Sequence, residues 1–192
     1  MVTYESPIEF TYDNIKSKRS LVSQTEIPRH LPSFAAGVRN ALRRKPEIIL
    51  VGESRDAETI SATIEAGQTG HVVYTTLHTT GVAETIKRMV SSFGPAERSE
   101  RAYSLMESLR LIVTQTLVPR IGGGRVGLRE WMPFSEEIRE KLLSMDFNEW
   151  SFEVMQLIPR YGQRMEESAR LEFEAGTIER RHYLLYASGK GG

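Results

Sequence analysis

Ile48-Ile49-Leu50-Val51-Gly52-Glu53-Ser54-Arg55-Asp56 is the stretch whose reading decides the fold of this chain. Four consecutive apolar residues, three of them β-branched, read as a strand buried on both faces. The strand stops at Gly52-Glu53. Asp56 then opens a helix that carries Ile60 and Ile64 and closes at Gly67 or Gly70. On the carboxyl side, His71 to Thr76 reads as the next strand. It ends at Leu77-His78, and a helix runs from Val82 to Ser92 until Gly94-Pro95 stops it. On the amino side, Val2-Thr3-Tyr4 favours extended structure and Ser6-Pro7 breaks it. Thr11 to Pro32 is polar and reads as irregular. Ser33 suits an N-cap, and Phe34, Val38, Ala41 and Leu42 fall on one helical face before Pro46. Strands alternate with helices, so the fold class is α/β with a parallel sheet.

Further along, Leu105, Leu109, Ile112 and Val113 are in helical phase, which predicts one helix from Glu97 to Leu117. Val118 to Pro133 holds Gly122-Gly123-Gly124 at its centre and reads as a hairpin. From Ser135 to Tyr186 the pattern is of short amphipathic helices broken at Gly162 and Gly176. The expected domains are therefore 1–134, carrying the sheet, a helical subdomain over 135–187, and a flexible tail over 188–192.

The 192 residues balance 25 Lys and Arg against 25 Asp and Glu, which argues against a nucleic-acid coat or a polybasic membrane binder. Cysteine is absent, which excludes disulfides, thiol catalysis and Cys-ligated zinc. No apolar run approaches the roughly 18 residues that cross a bilayer. Met1 to Phe10 has two carboxylates and no basic segment, so it is no signal peptide. A cytoplasmic protein is expected.

In an open parallel sheet, ligands sit beyond the carboxyl ends of the strands. The first strand delivers Glu5 and Glu9, the second Glu53 and Arg55, the third His78 with Thr79 and Thr80 behind it. An apolar strand ending in Gly-Glu is the Walker B pattern of many ATPases. Its carboxylate can polarise a water near a γ-phosphate and magnesium, and a solvated strand-end glutamate reads equally well locally. Glu5 and Glu9 can help hold magnesium or its waters. His78 can donate to a phosphate oxygen. Arg39, Arg43, Arg44 and Lys45 suit nucleic acid, an arginine finger or a solvated helix face. Gly122-Gly123-Gly124 lies between strand-like segments, so it reads as a turn rather than a phosphate cradle. No G-x-x-x-x-G-K-[ST] phosphate loop is present. The one Gly-Lys pair, Gly189-Lys190, is followed by Gly191 and has Leu184 where the first glycine belongs.

Four boxes resemble the PilT/GspE/VirB11 superfamily of secretion ATPases, above all its Dot/Icm and conjugative plasmid-transfer branch. Thr3 to Phe10 resembles the Asp box, Ile48 to Asp56 the Walker B, Gly70 to Thr79 the His box, and Gln115 to Glu130 the strand pair after the sensor helix. Ile27 to Pro46 is similar to the Dot/Icm branch in particular. The resemblance covers about residues 1–135. It implies a RecA-like parallel sheet, incomplete because the Walker A unit is missing, with a C-terminal helical subdomain. It implies ATP and magnesium as ligands. Glu53 is the implied catalytic carboxylate, Glu5 and Glu9 the Asp-box acids, and Glu5 with Glu53 the groups nearest magnesium. His71 and His78 are the implied His-box pair, with His78 catalytic and nearer the nucleotide, and Arg55, His71 and Thr79 are the implied cofactor-binding residues. Ser6 stands where many relatives have Asp.

A homo-hexamer in the full-length protein, at an inner-membrane secretion or transfer apparatus, is the implied assembly. It has no transmembrane segment and no stable direct nucleic-acid binding. The PAS-like domain and phosphate loop of such ATPases would precede Thr3, so this chain is expected to be a fragment that is inactive by itself. Two other readings stand beside the motor. One is a non-catalytic interaction subunit that docks on a partner with a phosphate loop. The other is a nucleic-acid module using the Arg39–Lys45 helix.

Overall fold

In the computed structural model, residues 1–13, 15 and 20–187 are described. By compactness the chain divides into Met1–Leu77 with Met89–Ser108, and His78–Arg88 with Leu109–Gly192. The first unit holds strands β1 (Val2–Glu5), β2 (Ser23–Glu26), β3 (Ile48–Val51) and β4 (Val72–Thr75), with helices α1 (Phe34–Arg44), α2 (Ala57–Gln68) and α4 (Pro95–Ser108). Helix α3 (Val82–Ser91) starts in the second unit. The four strands form one parallel sheet in the order β2-β1-β3-β4.

The helix signals act where the sequence places them. Ser33 caps α1 by accepting from the Ala36 N–H at 3.1 Å. Asp56 caps α2 by accepting from the Thr59 N–H at 2.8 Å. Side-chain caps of this kind are each worth about 1 kcal/mol. Both helices cover one face of the sheet. Val2, Tyr4, Ile49 and Val51 pack there against Val38 and Ala41 of α1 and Ala62 and Ala66 of α2. Burial raises the Tyr4 phenol above its ordinary pKa, and the nearby Arg44 draws it back in part. The approach of Arg44 falls short of a hydrogen bond, so the Tyr4 hydroxyl is buried without a partner among the described residues.

Three sequence expectations are corrected. Within the stretch expected to be irregular, Ser23–Glu26 forms a strand in register with β1, from Val2↔Ser23 to Glu5↔Glu26. Its residues are polar and half-buried. It joins through backbone pairing at the sheet edge, which leaves no hydrophobic alternation to read. Burial of β3 on both faces holds for one face only: Ile49 and Val51 are fully buried, whereas Ile48 and Leu50 are partly exposed. The register puts these two beside Val72 and Tyr74 of the edge strand β4, which are 51% and 56% exposed. No helix of the first unit's core cluster covers that side, and among the described residues the outer edge of β4 is unpaired within the sheet.

The third correction concerns the long helix. It ends at Ser108, and Leu111–Pro119 is strand β5, paired antiparallel with β6 (Arg125–Pro133). Ile112, Thr114 and Val118 are buried while Leu111, Val113, Gln115 and Leu117 are exposed. That period of two, in a run rich in β-branched residues, overrides the apparent helical phase. Gly122, Gly123 and Gly124 all take positive φ at the hairpin turn.

The second unit packs this hairpin with α5 (Glu136–Leu143), α6 (Trp150–Tyr161), α7 (Met165–Glu174) and α8 (Arg180–Ala187). Val118 and Leu128 of the hairpin meet Ala169 and Ile178 in one core. Trp150 is buried and its indole N–H donates to the Leu142 carbonyl at 2.6 Å. The expected division after residue 134 marks where strands give way to helices, whereas compactness groups the hairpin with those helices. The expected flexible tail, 188–192, lies outside the described residues. Among the described residues no helix is long and apolar enough to cross a membrane.

Candidate active site

The carboxyl ends of β1 and β3 are held together by backbone. The Gly52 N–H donates to the Tyr4 carbonyl at 2.7 Å. A Cβ on Gly52 would stand 2.9 Å from that carbonyl oxygen and 3.3 Å from Glu5 Cα. Only glycine fits this approach without a backbone shift. On its other side the turn is fastened to the end of β4. The Thr76 hydroxyl donates to the Gly52 carbonyl, and the Ser54 N–H donates to the Thr76 carbonyl at 3.0 Å. Ser54 is buried and its hydroxyl bonds that of Thr75 at 2.8 Å. Glu53 is thus fixed at the backbone through both neighbours. Its side chain is only 17% exposed and takes an ion pair from the Arg55 Nε, on a side chain 66% exposed.

Glu5 is held with equal definition. Its Oε1 accepts from the Thr3 hydroxyl at 2.6 Å and from the Gln24 amide at 3.0 Å. The same Gln24 amide donates to the Phe10 carbonyl at 2.9 Å, and its oxygen accepts from the Tyr12 N–H at 2.8 Å. Gln24 therefore ties the segment carrying Glu9 back onto β1. Glu5, Glu9 and Glu53, with Ser6, Phe34 and Gly52, line one cavity of about 270 Å³. Three acidic side chains lining one space give it a negative character that suits a cation carrying its own waters.

Sequence reasoning missed Gln24 and Glu26. Both lie on the unread strand β2, and Glu26 Oε2 accepts from the Ile8 N–H at 3.4 Å. The one signal for them was the spacing of Gln24 and Glu26 around Thr25, which is weak among polar residues.

Of the remaining predicted residues, His71 belongs to the same unit and is not among the residues that line this cavity. His71 precedes β4 at the amino end of the sheet, with its ring beside the Thr69 hydroxyl at 3.3 Å. His78 is exposed and is the first residue of the second unit. Thr79 follows it, and its hydroxyl bonds that of Thr85 at 2.7 Å. The basic run is split: Arg39 pairs with Glu58 at 2.9 Å on the surface, Arg44 turns toward Tyr4, and Lys45 closes α1 in the left-handed conformation. A larger cavity of about 640 Å³, in the second unit, is lined by none of the predicted site residues.

The close approach at Gly52 gives a direct test. Gly52→Ala is expected to lower stability by about 1–3 kcal/mol in urea denaturation, because the new methyl meets backbone that cannot swing away. An alanine variant as stable as the parent would show that the approach does not constrain the site.

A parallel sheet with an acidic cavity beyond the carboxyl ends of its strands has its candidate site where open α/β folds bind ligands. The family described as Type II/IV secretion system protein matches residues 1–124. The type IV pilus retraction ATPase PilT of Pseudomonas aeruginosa is 46% identical over 139 residues, 72% of this chain and 40% of that protein. The crystal structure of the Legionella pneumophila ATPase DotB superposes with a TM-score of 0.95 at 55% identity, covering 98% of this chain and 51% of that one. The pilus retraction motor PilT, solved with bound ADP, superposes with a TM-score of 0.82 at 34% identity, covering 96% of this chain and 51% of that one. The chain belongs to the type II/IV secretion system protein family, within the PilT/GspE/VirB11 superfamily of ATPases and with a Dot/Icm-like structural match. It spans about half the length, or less, of these relatives.

Proposed function

We propose that this chain carries the hydrolytic half of a nucleotide-driven motor that powers type IV secretion or conjugative plasmid transfer. The observation behind the proposal is the cavity that gathers Glu5, Glu9 and Glu53 at the carboxyl ends of β1 and β3. The likeness to DotB favours the secretion branch over the pilus branch. The substrate is ATP. The phosphate-holding half of the site comes from residues outside these 192, and the working assembly is a homo-hexamer on the cytoplasmic face of an inner-membrane apparatus.

Each residue has a defined part. Glu53 orients and polarises the attacking water and takes its proton. Glu5, pinned by Thr3 and Gln24, presents a fixed carboxylate, and Glu9 closes the acidic side. Among the described residues, no group of three or more His, Cys, Asp or Glu side chains is placed to hold a metal alone. One or two carboxylates from this cavity nevertheless suit magnesium, which keeps several waters and takes phosphate oxygens as ligands. Bound there, magnesium would supply charge neutralisation. Arg55 keeps the Glu53 carboxylate in orientation through its ion pair. His78 and Thr79 are donors to phosphate oxygens in this proposal, with His71 as the other member of the His box.

The test is the magnesium dependence of turnover in the motor completed with its phosphate loop. Glu5→Gln is expected to raise the magnesium concentration for half-maximal hydrolysis by about fivefold or more, with fold and nucleotide affinity retained. An unchanged magnesium requirement would remove Glu5 from the site. Unchanged hydrolysis in Glu5, Glu9 and Glu53 variants alike would favour the interaction-subunit reading.

A further inference from the structure

The turn between His78 and α3 is fastened by a residue that the proposed chemistry leaves unused. Helix α3 begins at Val82, and the residue before it, Gly81, has no side chain with which to cap. The cap comes from far along the chain. The Val82 N–H donates to Glu130 Oε1 at 2.7 Å, across 48 residues of sequence. A Cβ on Gly81 would stand 3.1 Å from the same oxygen, so turn and carboxylate are closely fitted. Glu130 sits on β6 opposite Thr114 of β5, within the nine-residue pairing of the hairpin, and so is carried on a rigid element.

From this cap a chain of bonds runs back toward the His box. The Thr85 hydroxyl donates to the Gly81 carbonyl at 2.8 Å and bonds the Thr79 hydroxyl at 2.7 Å. All of these residues belong to the second unit. A carboxylate at a helix amino end is favoured both by the orphan N–H groups and by the macrodipole.

We infer that Glu130 is the positioning residue of the His78–Thr79 turn, supplying from the hairpin the helix cap that the local sequence lacks. Its bearing on hydrolysis rests on the reading of His78 and Thr79 as phosphate donors. The hairpin then sets where the His box ends and α3 begins.

The test uses this 192-residue chain, labelled with 15N throughout and with 13C at histidine Cε1, the His78 signal being assigned with His78→Gln. Glu130→Ala is expected to cut hydrogen-exchange protection of the Val82 amide about fivefold or more and to shift the His78 ring resonance. Glu130→Gln keeps a carbonyl oxygen at the same reach and is expected to restore both. Arg125→Ala, at the exposed start of β6, is expected to move neither. Glu130→Met fills the same space without an acceptor and carries the test if the alanine variant does not fold. Val82 protection that survives both removals overturns the inference, as does lost protection with an unmoved His78 signal. If the Glu130 pattern holds while His78→Ala leaves hydrolysis by the completed motor intact, the positioning stands and the phosphate reading of His78 falls.

Discussion

In the motor completed with its phosphate loop, Glu53→Gln lowers kcat by about a thousandfold and leaves nucleotide affinity within a few-fold of the parent. The magnitude is that of removing a positioned general base, typically 10²–10⁴-fold, and corresponds to about 4 kcal/mol of transition-state stabilisation. The substitution is isosteric, and the amide oxygen can still accept from Arg55. The bonds that fix the backbone on either side of the residue are made by its neighbours: Gly52 to Tyr4, Thr76 to Gly52, and Ser54 to Thr76. Folding should therefore be unaffected, which separates this variant from Gly52→Ala, where the backbone itself is disturbed. Removing a negative charge beside a polyphosphate cannot weaken binding through repulsion, so the loss falls on kcat and not on affinity. Parent-level turnover, or a loss of stability matching the loss of rate, would end the assignment of Glu53.

How much of this site the sequence discloses depends on the kind of residue. Glu53 is legible because an uninterrupted apolar strand ends in Gly-Glu and Asp56 then caps a helix, so three local signals agree. Glu5 is legible as a strand-end acid, but what holds it is not. Gln24 lies 19 residues away on a polar edge strand, and its partnership with Glu5 exists only once the two strands pair. The hairpin shows the same limit from another direction. Leu105, Leu109, Ile112 and Val113 satisfy a helical period, yet β5 begins at Leu111, because apolar residues on both faces of a strand imitate a helix in a short window. Glu130 closes the last of the four boxes, and nothing in its neighbours along the chain gives it a role. A cap reaching across 48 residues leaves no trace in the local sequence of the helix it caps.

The second large effect concerns the chain by itself. Purified alone, these 192 residues are expected to show no magnesium-dependent ATP hydrolysis above background and to bind ATP more weakly than about 1 mM. The reason is electrostatic. The cavity presents Glu5, Glu9 and Glu53, and the cation paired there, Arg55, is already engaged by Glu53. A polyphosphate brought to such a surface meets like charge. In ATPases of this fold the counterweight is a loop of backbone N–H groups and a lysine, and no G-x-x-x-x-G-K-[ST] occurs in this sequence. On the proposed reading, the three carboxylates form the water-activating side of a site whose attractive side is a phosphate loop supplied by another segment. Isothermal titration with ATP and a phosphate-release assay measure the two quantities. Supplying a phosphate-loop segment, fused or in trans, should restore turnover that Glu53→Gln then abolishes. Robust hydrolysis by the chain alone, lost in Glu53→Gln, would show instead that these residues hold the phosphates without such a loop, and the division of the site into two halves would be wrong.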